Sequence, residues 1–128
     1  MKLLLDTQLL LWTASGSSRL SARARLQIQR KENELFFSAA SVWEVAIKRG
    51  LGRSDFQVDP RLLRRELLDN GYSELAVTGE HATAVVGLPS IHKDPFDRIL
   101  VAQAMMESMT LLTTDPTVAK YPAPVLQV

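Results

Sequence analysis

Short apolar runs, too brief for helices, alternate with helix-like segments along this chain, and that alternation narrows the fold more than any other feature. Lys2–Leu5 and Thr110–Thr113 read as buried strands, Leu35–Phe37 and Ser73–Val77 as two more, and Val125–Gln127 as a fifth candidate. Between them lie segments with helix signals. Thr7–Trp12 restarts after Asp6; Leu20–Lys31 repeats Leu20, Ala24 and Ile28 on one side against Arg19, Arg23, Gln27 and Arg30 on the other. Ser38 caps a mostly apolar stretch to Arg49, stopped by Gly50 and Gly52, and Asp59-Pro60 opens another through Leu68, stopped at Asn70-Gly71. Thr78 starts a short helix through Val86, closed by Gly87 and Pro89, and Asp94-Pro95 opens the helix Phe96–Met106. Pro116–Lys120 reads as a turn or brief helix. Strands alternating with helices predict an α/β fold with a mainly parallel sheet of four or five strands, reached by right-handed crossovers.

With 128 residues, no repeat and no linker, the chain is expected to form one domain over residues 1–128. Hydrophobic residues make up 46% and charged residues 23%, which excludes disorder as the basis of function. There is no cysteine, so thiolate zinc sites, iron–sulfur clusters and cysteine nucleophiles are out, and a reducing cytoplasm fits. Apolar runs are too short to span a membrane, and Asp6 and Gln8 break the one near the start before it resembles a signal peptide.

Most acids lie in polar surroundings, but four do not. Asp6 follows Leu3-Leu4-Leu5 and Asp115 follows Leu111-Leu112-Thr113-Thr114, which puts both at the C-terminal ends of predicted parallel strands, where open α/β sheets bind ligands. Glu44 interrupts Val42-Trp43 and Val45-Ala46-Ile47, and Asp97 lies between Phe96 and the run Ile99–Ala102, on helices otherwise nearly all apolar. Each has an ordinary structural explanation as well. Glu44 can pair with Lys48 or form a capping box with Ser41, Asp97 can sit in the first turn of a helix capped by Asp94, and Asp6 and Asp115 can cap the short helices after them.

Clustered, four carboxylates repel one another unless a cation neutralises them. Oxygen donors favour Mg²⁺ or Mn²⁺, and two separated histidines, His81 and His92, disfavour zinc and read as structural or solvated. The formal charge is +1, from 15 basic and 14 acidic residues, so with four acids set aside the remainder is basic. Arg19, Arg23, Arg25, Arg30 and Lys31, then Lys48, Arg49 and Arg53, and Arg61, Arg64 and Arg65 are candidate phosphate contacts, or simply solvated helix faces. Arg98 stays near Asp97 in any rotation of its helix.

Leu3-Leu4-Leu5-Asp6-Thr7, Ser41-Val42-Trp43-Glu44-Val45-Ala46-Ile47-Lys48, His92-Lys93-Asp94-Pro95-Phe96-Asp97-Arg98 and Leu112-Thr113-Thr114-Asp115 resemble, in order and spacing, the acidic motifs of PIN-domain ribonucleases, and most closely the VapC toxins of toxin–antitoxin pairs. The resemblance covers the whole chain. It implies a PIN-like three-layer fold with a twisted sheet, a metal-dependent endoribonuclease acting on RNA, a homodimer, and an antitoxin whose tail covers the acidic cleft. Asp6, Glu44, Asp97 and Asp115 then correspond to the quartet that holds Mg²⁺ or Mn²⁺. Asp6 and Asp97 are expected as direct ligands, with Glu44 and Asp115 holding waters, orienting the nucleophile or completing a second metal position. Thr7, Ser41 and Thr114 are expected to orient carboxylates, and Lys48 and Arg98 to meet substrate. Asp94 fits a helix cap, and Gln8 stands where many relatives carry histidine.

Three other readings compete. A housekeeping RNA-processing PIN nuclease would share the site without an antitoxin. A phospho-acceptor receiver wants paired acids after its first strand, where this chain has Asp6-Thr7-Gln8, and a late lysine where it has Asp115. A silent binding module would have no need of four acids.

Overall fold

The computed structural model describes residues 1–128. Its centre is an all-parallel five-stranded sheet in the order β3-β2-β1-β4-β5, with β1 Lys2–Leu5, β2 Glu34–Ser38, β3 Ser73–Leu75, β4 Thr110–Thr113 and β5 Val125–Gln127. Around it run α1 Thr7–Ser15, α2 Ala22–Gln29, α3 Ala39–Gly50, α4 Pro60–Asp69, α5 Gly79–Ala84 and α6 Pro95–Met106, with 3₁₀ turns at Val85–Gly87 and Val118–Lys120. No helix is long and apolar enough to cross a membrane.

The middle strand explains why β1 has no polar face. Leu3, Leu4 and Leu5 are all fully buried, because both sides of a central parallel strand are covered by helices. Alternation divides them between two cores. Leu3 and Leu5 join Leu9, Leu10, Ala24, Phe37, Val45, Leu63, Leu67 and Leu112 on one side, while Leu4 packs with Leu100, Val101, Ala104, Leu111, Val118 and Tyr121 on the other. Burying each of these leucine side chains contributes on the order of 2 kcal/mol.

Starts and stops follow the cap residues. Asp59 and Asp94 each precede a proline and accept backbone N–H bonds from the first turn behind it, from Arg61 and from Phe96 and Asp97. Ser38 caps α3, so Ser41 lies inside that helix and the capping box considered for Ser41 and Glu44 does not form. α1 runs past Trp12 to Ser15 and ends where Gly16 adopts a left-handed φ of 63°, a conformation a Cβ would oppose. β3 is two residues shorter than its sequence suggests. The Ala76 carbonyl accepts a hydrogen bond from the Gln103 side chain instead, and the chain turns into the Thr78 cap of α5.

The strand order places a crevice. The chain lays down β1, β2 and β3 in one direction, then returns across the sheet to β4 on the other side of β1. The connections leaving β1 and β4 therefore diverge at adjacent C-terminal ends, the topological switch point at which open α/β sheets bind ligands.

Candidate metal-dependent active site

Asp6 and Asp115 are delivered to that crevice by the register. Leu5 pairs with Leu112, so Asp6 follows beside Thr113, two residues before Asp115. Asp6 is buried; its Oδ1 accepts the Leu9 N–H at 2.8 Å as the cap of α1, and its Oδ2 accepts the Thr113 hydroxyl at 2.6 Å. Capping and site membership therefore coexist in one carboxylate. Burial pushes its pKa up against those hydrogen bonds, and the charge of Asp115 adds to the rise.

Asp97 is the third residue of α6, with its N–H pointing at the Asp94 cap. Its carboxyl titrates at about 7, first because burial penalises the charge, then because the neighbouring charges of Asp94, Asp6 and Glu44 oppose it, with His92 partly relieving them. Glu44 projects from α3, 7% exposed, with Oε2 2.9 Å from Lys48 Nζ. Asp115 is the counterexample: burial pulls it upward, but the Thr117 amide and His92 outweigh that and hold it below the ordinary carboxylate value.

All four acids line one cleft of about 280 Å³, together with Thr7, Gln8, Leu11, Lys48, Asp94 and Thr114. Asp94, read from sequence as a cap, both caps α6 and contributes its charge here. Thr7 donates to Ser41 Oγ at 2.9 Å, a buried bond that ties α1 to α3 and directs the Thr7 proton away from the four acids. The carboxylate-orienting hydroxyl is that of Thr113, one residue before Thr114: it donates to Asp6 and accepts the Asp115 N–H at 3.0 Å. The Thr-Thr pair was visible in the sequence, but only the register says which one faces β1.

One further assignment narrows and another changes. His92, expected as structural or solvated, is structural and stands at the acids: its Nε2 lies 3.3 Å from Asp97 Oδ2 and 3.2 Å from Asp115 Oδ2. The sequence signal was its place two residues before the Asp94 cap, at the entrance to the helix carrying Asp97. Arg98, expected to meet substrate, spends its guanidinium on the carbonyls of Pro89 and Val85 and on the Tyr121 hydroxyl, at 2.9, 3.1 and 3.2 Å. It anchors the loop that carries His92. His81 is structural, buried in a capping box with Thr78 and bonded to Glu107.

The basic groups separate in the same way. Arg49 pairs with Asp59, Arg53 with Asp55 and Arg64 with Glu74, whereas Arg19, Arg23, Arg25, Arg30, Lys31, Arg61 and Arg65 are exposed and form no ion pair. Beside the acidic cleft, across α3 and α6, an apolar groove of about 1010 Å³ is lined by Ala40, Trp43, Ile47, Val85, Phe96 and Ile99 among others. Trp43 is 63% exposed there and meets the Phe96 ring edge-on at 5.3 Å.

The donor set fits a hard divalent cation. Its acceptors are carboxylate oxygens, Asp97 Oδ1 accepts no hydrogen bond from the protein, and one lysine is the only ammonium or guanidinium among five converging acids.

The sequence matches the PIN domain over residues 3–124. None of the curated proteins matches it. Among solved structures, VapBC2 from Rickettsia felis, bound to a DNA fragment from its promoter, is similar with a TM-score of 0.72 at 12% identity, over 99% of this chain and 98% of that one. A toxin–antitoxin complex from Klebsiella pneumoniae gives 0.63 at 20% identity over 97% and 95%, and FitAcB from Neisseria gonorrhoeae 0.64 at 18% over 98% and 96%. At these identities the likeness is one of fold. PIN domains are typically nucleases that bind Mg²⁺. A sequence match reaching from β1 to the entry of β5, on the same parallel sheet, makes this chain a member of the PIN-domain family.

Proposed function

We propose that this protein is a Mg²⁺- or Mn²⁺-dependent endoribonuclease and the toxin of a toxin–antitoxin pair. The observation that carries the reading is the convergence of Asp6, Glu44, Asp97 and Asp115 on one cleft at the switch point of the sheet, with charge that the single lysine there, Lys48, balances only in part. Asp6 and Asp97 are the direct ligands. Asp6 is held by the Leu9 amide and Thr113 hydroxyl, so it presents fixed oxygens rather than a mobile side chain. Glu44 and Asp115 orient the attacking water. When bound, the divalent ion lowers the pKa of water and offsets charge building on the phosphoryl oxygens. Lys48 neutralises Glu44 in the metal-free protein and becomes free to meet a phosphate once that carboxylate is engaged elsewhere. The exposed, unpaired arginines of α2 and α4 supply backbone affinity, which carries no sequence information.

The partners follow from the same reading. Solved relatives of the fold were crystallised as toxin–antitoxin complexes, and a cationic side chain of an antitoxin tail would satisfy two carboxylates of this cleft at once. Inhibitor and Mg²⁺ would then oppose each other by linkage. We assign the homodimer to the Trp43–Phe96 face, and the compartment to the cytoplasm, where RNA and a co-expressed antitoxin are both present.

The test is brief expression of the chain alone and with each neighbouring open reading frame, with mapping of new RNA ends. Cleavage and slowed growth are expected, lost in Asp97→Asn and silenced by a copurifying neighbour. Intact RNA in every host would overturn the nuclease, and cleavage without toxicity or any copurifying neighbour would make it a housekeeping enzyme.

A further inference from the structure

Ligand-type atoms of His92, Asp97 and Asp115 all lie within 4.8 Å of one another. By spacing alone they suggest a site in which imidazole is a third ligand. Hydrogen-bond direction argues against it. A neutral imidazole carries one N–H and one bare nitrogen. The Asp94 backbone N–H meets His92 Nδ1 at 3.1 Å, and an N–H can only donate, so Nδ1 is the bare nitrogen and Nε2 carries the hydrogen. That hydrogen is donated to Asp115 Oδ2 at 3.2 Å, and Asp97 Oδ2 lies 3.3 Å from the same nitrogen as a charge contact. Turning the ring over would present carbon at both places and lose all of these contacts. A ligating Nε2 would need its lone pair, which means expelling the Asp94 amide from Nδ1.

The surrounding loop resists that rearrangement. The His92 N–H donates to the Tyr121 hydroxyl at 2.9 Å, and Arg98 bonds the Pro89 carbonyl three residues before it and the same Tyr121 hydroxyl. Asp94 thereby has two roles: its carboxylate caps α6, and its amide fixes the ring that faces Asp97.

Building on the metal-dependent reading, we propose that His92 is a positioning residue and not a metal ligand: its Nε2–H donates to Asp115 Oδ2 while lying against Asp97 Oδ2, spacing the two carboxylates and leaving Asp97 Oδ1 to serve the cation. Asp97 Oδ1 is the atom this arrangement leaves available, since nothing in the protein donates to it. Partners of this kind, once removed, weaken metal affinity without changing the ligand set.

Three measurements test it, and two need no variant. Long-range ¹⁵N–¹H correlation spectra of the metal-free protein should show His92 as the Nε2–H tautomer; the Nδ1–H tautomer overturns the proposal. Electron spin-echo envelope modulation of the Mn²⁺-loaded protein should show no coordinated imidazole nitrogen. Mn²⁺ titration should weaken about 10- to 100-fold in His92→Ala and return to within about threefold of the parent in His92→Gln, whose amide offers an N–H in place of Nε2–H. An imidazole coupling that His92→Ala abolishes, Gln as weak as Ala, or Ala as tight as the parent each refutes the positioning role. An imidazole coupling in a protein that still cleaves RNA refutes it while leaving the nuclease intact; a parent chain that binds no Mn²⁺ refutes both.

Discussion

Replacing Asp97 with asparagine should make the metal-free protein more stable, by an amount set by pH. The carboxyl titrates at about 7 in the fold against an ordinary value of 3.8, so the folded state holds its proton more tightly than the unfolded state. Stability then falls as pH rises from about 4 towards 7, and the whole penalty is present above 7. At about 1.4 kcal/mol per pKa unit the wild type loses at most about 3 kcal/mol between pH 5 and pH 8. With the side chain 24% exposed, water screens part of this, and 1 to 3 kcal/mol is the working range, roughly. One effect opposes it: a carboxylate in the first turn of α6 favours the positive end of the helix dipole by about 0.5 kcal/mol. The repulsion is the larger. Asparagine nearly matches the protonated acid at pH 5 and stays neutral at pH 8. Thermal melts in EDTA should therefore separate more widely at pH 8 than at pH 5, where the unfolded carboxyl is already ionised and part of the penalty is present, with the variant higher at pH 8 by roughly 4 to 10 °C. Added Mg²⁺ at pH 8 should raise the wild-type melt and move the variant little. A variant destabilised equally at both pH values would refute the charge-repulsion account of this site.

Thr113→Val removes the hydroxyl that holds Asp6, leaving a buried carboxylate oxygen short of a donor. Urea unfolding should show a loss of about 1 to 3 kcal/mol, and RNA cleavage should fall as well. Leu4→Ala opens a cavity between β1 and α6 at a fully buried position, for a cost of about 2 to 5 kcal/mol in the same assay and a lower melting temperature. Trp43→Glu, by contrast, alters a side chain already 63% exposed. It should change monomer stability by no more than about 0.5 kcal/mol, while light scattering reports loss of the dimer assigned to that face.

The strands and their caps were legible because local chemistry decides them. Leu3-Leu4-Leu5 admits a strand buried on both faces, and Asp-Pro twice announces a helix start, at Pro60 and Pro95. The acids stood out because Asp6, Glu44, Asp97 and Asp115 interrupt apolar stretches. What sequence does not carry is register and ring orientation. Thr113 and Thr114 are chemically identical until β4 is laid against β1 with Leu112 beside Leu5. The contacts of His92 and Arg98 were hidden for a related reason: the loop from Pro89 to His92 folds back over Tyr121, a residue 29 positions from His92, and no local pattern encodes that closure.

The hydrogen bond from Thr113 to Asp6 spans 107 positions of the chain. An acidic site joined across that distance does not exist in a nascent polypeptide. While the ribosome is still adding α6, Asp6 has neither Thr113 nor Asp115 for company, and β1 lacks one of its two neighbouring strands. Non-local pairing of this kind is also the slow part of folding. On the proposed nuclease reading, cleavage would thus be withheld from the message and ribosome making the protein, and a product cut short before Thr110 would lack Thr113 and Asp115 altogether. For such an enzyme, latency during synthesis would follow from the strand order itself.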